Sequence, residues 1–152
     1  MESSSDNGAW SQQARDLYFS FKPKNTQARF EVIRFSGTDE ILECFQINID
    51  LVSERSDIDI ADLLETEAVL TVEKRGEEPR YFHGIIFEIE RSSSGHSRTL
   101  YRVVLRPSLY RLNFVSDSRI FHSMTAPNIT KEILSENGIV NIRWDIDSNG
   151  RT

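Results

Sequence analysis

The side chains able to do chemistry are few and scattered. His83, His96 and His122 fall in three different stretches, and no pair of His or Cys residues has the spacing of metal ligands. Cys44 is the single cysteine, so no internal disulfide can form, and no base stands near it in sequence to make it a nucleophile. Glu88 and Glu90 lie two apart and would share one face of a strand, where a solvated surface is the simpler reading than an acid–base pair. His83 precedes Gly84 in an apolar run. A cleft near His83 and Glu88 is the one place where a small ligand-binding or catalytic site could be built. The structural reading is preferred, with Gly84 marking a bulge or a close backbone approach. Phosphate loops, dinucleotide fingerprints and nucleophile elbows are all missing from the sequence. No catalytic residue, cofactor or metal is therefore expected.

Charge is more informative than nucleophiles. Residues 54–67 hold Glu54, Asp57, Asp59, Asp62, Glu65 and Glu67 against the lone Arg55. Residues 91–119 hold Arg91, Arg98, Arg102, Arg106, Arg111 and Arg119 against the lone Asp117. Two readings stand. The arginines can be bonded to acids within the same domain. Alternatively, the two blocks meet across copies of the chain, with Asp57, Asp59 and Asp62 facing Arg98, Arg102 and Arg106 at a subunit interface, where complementary charge sets register more than affinity. A nucleic-acid role is disfavoured, because the arginine block lacks interleaved exposed aromatics and the whole chain carries a formal charge of −6.

The elements that must position these groups read as strands. Phe19 and Phe21 alternate up to Pro23. Phe30–Phe35 places Phe30 and Val32 on one face and Ile33 and Phe35 on the other, before a turn at Ser36–Asp39. The clearest alternation follows. Phe45, Ile47, Ile49 and Leu51 point one way and Cys44, Gln46, Asn48 and Asp50 the other, the pattern of a half-buried antiparallel strand. Asp57–Leu64 reads as a single helical turn carrying Ile60, Leu63 and Leu64. Strands are predicted over Ala68–Lys74, Tyr81–Arg91 and Leu100–Arg106, with a polar hairpin loop at Ser92–Gly95. Asn113–Phe121 reads as extended and Ile139–Ile146 as strand-like. Between them Pro127–Glu136 reads as a helix, with Thr125 able to cap it and Gly138 to stop it. About seven short strands with turn signals between them predict a mainly β protein, a small antiparallel β-barrel with one short helical turn and a C-terminal helix.

Residues 1–16 are too polar to offset the entropy of ordering and read as a disordered arm, apart from Trp10. No apolar run approaches the ~20 residues of a membrane span, and the first ten residues have no signal-peptide character. Direct membrane insertion is not expected.

The order of these motifs resembles a known family. Phe30–Ile41, with its Phe-Ser-Gly-Thr-Asp-Glu turn, is followed by Phe45–Ser53 and then by the Asp59…Leu63-Leu64 turn. Arg80-Tyr-Phe-His-Gly-Ile-Ile86 and Tyr101–Leu112 come next, then Ser118–Phe121 and the helix carrying Ile129, Ile133 and Leu134. Over roughly Phe19 to Ile146 this is similar to the N-terminal region of VgrG, the spike protein family of type VI secretion, and so to the baseplate hubs of contractile phage tails. Glu65 departs from the family's usual glycine after the paired leucines, and His122 from a common glutamine. The arm at 1–16 has no clear counterpart.

The resemblance implies a non-enzymatic assembly module. Residues 17–117 would form the first hub barrel and 118–152 the truncated start of the next hub domain. The second barrel, stalk and needle would lie beyond. It implies a trimeric hub in the full-length parent, an Hcp-like tube protein as partner, and effector proteins as possible cargo. It also implies assembly in the bacterial cytoplasm followed by secretion through the apparatus without a signal peptide. A phage or prophage tail hub or tube barrel is the neighbouring alternative. Without its second barrel the chain alone is expected to be monomeric or weakly associated.

Overall fold

The computed structural model describes residues 16–24, 26–38, 40, 43–94, 97–140 and 142–145. Most of the arm expected over residues 1–16, with Trp10, lies outside the described residues, as do His96 and the end of the Ser36–Asp39 turn. By packing, the chain falls into two compact units, one through Pro107 and one from Ser108.

The first unit is an antiparallel sheet of six strands: β1 (Leu17–Pro23), β2 (Glu31–Thr38), β3 (Gln46–Ser53), β4 (Glu67–Lys74), β5 (Arg80–Ser94) and β6 (Thr99–Arg106). Their order across the sheet is β1-β4-β5-β6-β3-β2, so the first two strands of the sequence sit at the two edges. These edges curl back toward each other. An isolated antiparallel bridge joins Phe21 to Phe30, and the rings of Phe19 and Phe35 meet edge-to-face at 5.2 Å. The result is a nearly closed barrel, as expected from the sequence.

The interior follows from the alternation. Ile47, Ile49 and Leu51 of β3 are buried with Tyr101, Val103 and Leu105 of β6. Ala68 and Leu70 of β4, Ile86 of β5 and Phe21 of β1 complete the wall, and Ile58 and Leu63 plug it from the β3–β4 connection. That connection contains the predicted turn: the amides of Leu63 and Leu64 both donate to the carbonyl of Ile60. Its exit is anchored to β5, because Glu65 N donates to Ile86 O at 2.8 Å and Ile86 N to Thr66 O at 2.9 Å. Glu65 itself has φ +60°, the left-handed conformation for which glycine is the usual choice. A non-glycine residue thus takes the left-handed conformation where the family resemblance calls for glycine.

Register shifts in β2 and β5 redirect the pattern. In β2 the register shifts between Val32 and Arg34, so Val32 and Phe35 both pack against the core while Ile33 is 52% exposed. The expected grouping of Ile33 with Phe35 fails for that reason: one extra residue reverses the facing of everything after it. In β5 the shift between Ile86 and Glu88 does the same at Phe87. Gly84 marks a close approach, since a Cβ there would strike the carbonyl of Arg106.

In the second unit, Ser108–Phe114 is a 3-10 helix and α1 spans Ala126–Glu136. The α1 C-terminus closes with Gly138 at φ +73°, Gly138 N donating to Ser135 O and Ile139 N to Leu134 O, the paired bonds of a Schellman stop. Thr125 occupies the N-cap in an extended conformation, but its side chain makes no capping bond. The extended run expected over Asn113–Phe121 and the strand-like run over Ile139–Ile146 form no strand among the described residues. Apolar alternation makes a strand only where a second backbone completes the ladder. None does so here, which accounts for six strands rather than about seven. No helix among the described residues is long and apolar enough to cross a membrane.

Candidate functional site

The outer face of the barrel carries charged side chains on neighbouring strands, and the register decides who meets whom. Arg34 of β2 lies directly opposite Asp50 of β3, Asp50 opposite Arg102 of β6, and Arg102 opposite Glu90 of β5. Four strands thus present one row of alternating sign. Arg34 Nε donates to Asp50, Arg102 Nε reaches the other Asp50 oxygen at 3.4 Å, and Arg102 Nη1 stands 4.0 Å from Glu90. The two arginines are largely solvated, but the Asp50 side chain is only 18% exposed. The hydrogen bond from Arg34 holds the Asp50 carboxyl below its usual range, with the Arg34 and Arg102 charges adding to it and partial burial opposing it.

A lowered folded-state pKa stabilises the fold above the unfolded value, about 3.9 for Asp. That stability disappears as pH falls through the folded value. Asp50→Asn is therefore expected to cost about 1 kcal/mol at pH 7, the scale of two partly exposed pairs, and distinctly less at pH 3, below the unfolded value. Urea midpoints of parent and variant at both pH values check this. An equal gap at both would show that the carboxylate charge is irrelevant to the row.

The candidate interface residues divide as follows. Arg98 Nη1 meets Glu31 at 3.3 Å. Arg106 donates to Gln46 and its guanidinium lies 5.6 Å from the ring of Phe87. Asp57 is clasped by Arg55 through bonds of 2.9 and 2.8 Å, which lowers its pKa, and Asp59 accepts the amide of Ala61 at 2.9 Å. Asp62 is exposed. Arg98 and Arg102 thus pair with acids within the chain, and Arg106 with the side-chain amide of Gln46. The acids that pair with Arg98 and Arg102 are Glu31, Asp50 and Glu90, none of which belongs to the 54–67 block.

The residues weighed for chemistry are not brought together. His83 is exposed beside the ring of Tyr81, opposite Val69. Glu88 is exposed opposite Val104. No ion pair joins either among the described residues, and none of these residues forms a group of three or more His, Cys, Asp and Glu placed to hold a metal.

The profile of a family described as phage tail baseplate hub (GPD) matches residues 38–151. The type VI secretion system spike protein VgrG2a of Pseudomonas aeruginosa is 32% identical over 126 residues, 83% of this chain and 15% of that protein. VgrG5 of the same species is 35% identical over 84% of this chain and 16% of its own length. VgrG3 of Vibrio cholerae is 30% identical over 81% of this chain and 13% of its own. The chain thus spans about 15% of the length of the curated relatives it matches. Among solved structures, an Escherichia coli component of the type VI secretion system, described as similar to the T4 bacteriophage tail proteins gp27 and gp5, aligns with a TM-score of 0.68. The alignment covers 82% of this chain and 33% of that one at 23% identity, a likeness of fold.

Proposed function

The chain belongs to the phage tail baseplate hub family, and on that premise we propose that it is the first barrel module of a type VI secretion spike hub, a structural part that performs no reaction. The observation that carries this reading is the six-stranded, nearly closed barrel whose outer face is a polar, charge-paired lattice, in a chain aligned over four-fifths of its length with spike proteins. In this reading residues 17–117 are the first barrel and 118–152 open the next hub domain, with the 3-10 helix Ser108–Phe114 near the connection.

Three copies of a parent with two such barrels would present six near-equivalent contacts to a sixfold tube of Hcp type, which is symmetry matching by internal duplication. The hub would join that tube to the puncturing needle, could carry effectors, and would assemble in the bacterial cytoplasm before leaving through the apparatus. Neighbouring copies would meet through Asp57, Asp59 and Asp62 on one and Arg98, Arg102 and Arg106 on the next. The Arg55–Asp57 and Arg98–Glu31 pairs are exposed, so exchanging those partners across an interface costs little. A phage-tail hub is the second reading, favoured by the description of the matching family, and gene neighbours separate the two.

The test is the mass of the protein encoded by the natural reading frame that contains this chain, measured by light scattering. Three protomers are expected, and a monomer would defeat the hub reading. Arg102→Glu with Arg106→Glu is expected to weaken that assembly, and adding Asp57→Lys with Asp59→Lys to restore it. Unchanged mass in each separate reversal would dispose of the charged contact alone.

A further inference from the structure

At one end of the barrel, the approach to β2, the end of β3 and Arg98 before β6 line an open cleft of about 480 Å3. Its size lies within the range of roughly 300–1,000 Å3 in which proteins hold ligands and peptide side chains. Its walls are of two kinds. Arg29, Arg55 and Arg98 supply guanidinium groups, and Phe30 and Val52 supply an apolar floor. Phe30 is held from beneath, edge-on to the buried Tyr101 ring at 5.6 Å and to Phe21 at 6.3 Å, so its position is fixed while its outer side stays half-open.

The three cations are not equivalent. Arg55 is clasped by Asp57, and Arg98 makes a single 3.3 Å contact with Glu31, both side chains being more than half exposed. Arg29 has no ion-pair partner among the described residues. An arginine fork takes a carboxylate through two parallel bonds. An exposed pair such as Arg98–Glu31 is worth little, so Arg98 can trade partners at small cost.

We propose that this cleft is a docking site for an acidic segment of a partner protein. One carboxylate of that segment lies between Arg29 and Arg98, and an adjacent apolar side chain rests on Phe30 and Val52. A nucleic acid fits the cleft poorly. Glu31 and Glu54 stand at the same rim, and a backbone with a phosphate at every residue cannot avoid them. A free phosphate would leave the apolar floor unused. This inference is independent of the hub reading, since a hub that binds no such peptide is still a hub.

The experiment uses the chain with a fluorescein-labelled peptide of alternating Glu and Leu, followed by anisotropy. Saturable binding is expected, weakening as salt is raised and lost when every Glu of the peptide is replaced by Gln. Arg29→Glu is expected to weaken binding about tenfold or more. Arg80→Glu, an exposed reversal at the start of β5 and so at the other end of the barrel, should change it by less than about twofold at physiological salt. Failure of the acidic peptide to saturate overturns the proposal, as does equal binding of the Gln peptide or equal weakening by the two reversals. Inorganic phosphate displacing the peptide at matching concentration also overturns it, by making the cleft a site for small anions.

Discussion

Gly84→Ala is expected to lower the unfolding free energy by about 3 kcal/mol, and Gly84→Val to leave the chain largely unfolded. The reason is steric and local. Gly84 of β5 sits opposite Ala68 of β4, and on its other side a Cβ would meet the carbonyl oxygen of Arg106, with the Arg106 carbonyl carbon at 3.0 Å and Leu105 Cγ at 3.1 Å. A side-chain end could swing away, but a backbone carbonyl between two hydrogen-bonded strands cannot move without separating β5 from β6. Those strands hold Ile86, Tyr101, Val103 and Leu105, so a local clash spreads to the barrel wall.

Gly76 is the built-in comparison. Nothing lies within 4 Å of where its Cβ would be, but its φ is +84°. Gly76→Ala should therefore cost only the left-handed penalty, about 1 kcal/mol. Urea denaturation followed by far-UV circular dichroism distinguishes the two. Equal small losses at both positions would show that the Arg106 carbonyl yields freely and that the β5–β6 spacing is not fixed there.

The sequence exposes those parts of the fold in which one physical rule acts alone. β3 is readable because Ile47, Ile49 and Leu51 face a core and Gln46, Asn48 and Asp50 face water, so burial writes a period of two into the residues. The stop after α1 is readable because Gly138 adopts a conformation that other residues resist. Readability fails where a second strand makes the decision. Ile33 and Phe87 look like ordinary members of their runs, and only the neighbouring register turns them into bulges. Ser108–Phe114 carries no strong helical period, and it forms a 3-10 helix in which no residue is buried.

The charged face teaches the same lesson. Counting along the chain groups arginines with arginines and acids with acids, which suggests an attraction between distant blocks. The barrel instead sets Arg102 of the basic block in a cross-strand row with residues of neither block, and Arg34 becomes the strongest influence on Asp50. The pairing of Arg29 and Phe30 with Arg98 goes unnoticed in sequence for a related reason. Their cleft exists only because the approach to β2 closes against the end of β3 and Arg98 before β6.

The second large effect is expected at Tyr101. Its side chain is 1% exposed and joins three separate interactions: the ring meets Phe30 edge-on, Arg91 stands over the ring at 5.8 Å, and the hydroxyl donates to the Arg55 carbonyl at 3.3 Å. Arg91 in turn donates to the carbonyl of Ile58, so this ring ties β5 to the segment that plugs the barrel. Tyr101→Ala removes the ring and leaves a cavity, for an expected loss of about 4 kcal/mol. Tyr101→Phe keeps the ring, with its contacts to Phe30 and Arg91, and removes only a long hydrogen bond, for about 1 kcal/mol. The two substitutions therefore separate packing from polarity at a single position. A fourfold difference between them in urea-derived free energy would place the stability of this end of the barrel in the aromatic contacts. Near-equal losses would place it in the one bond to Arg55, with Phe30 and Arg91 merely adjacent.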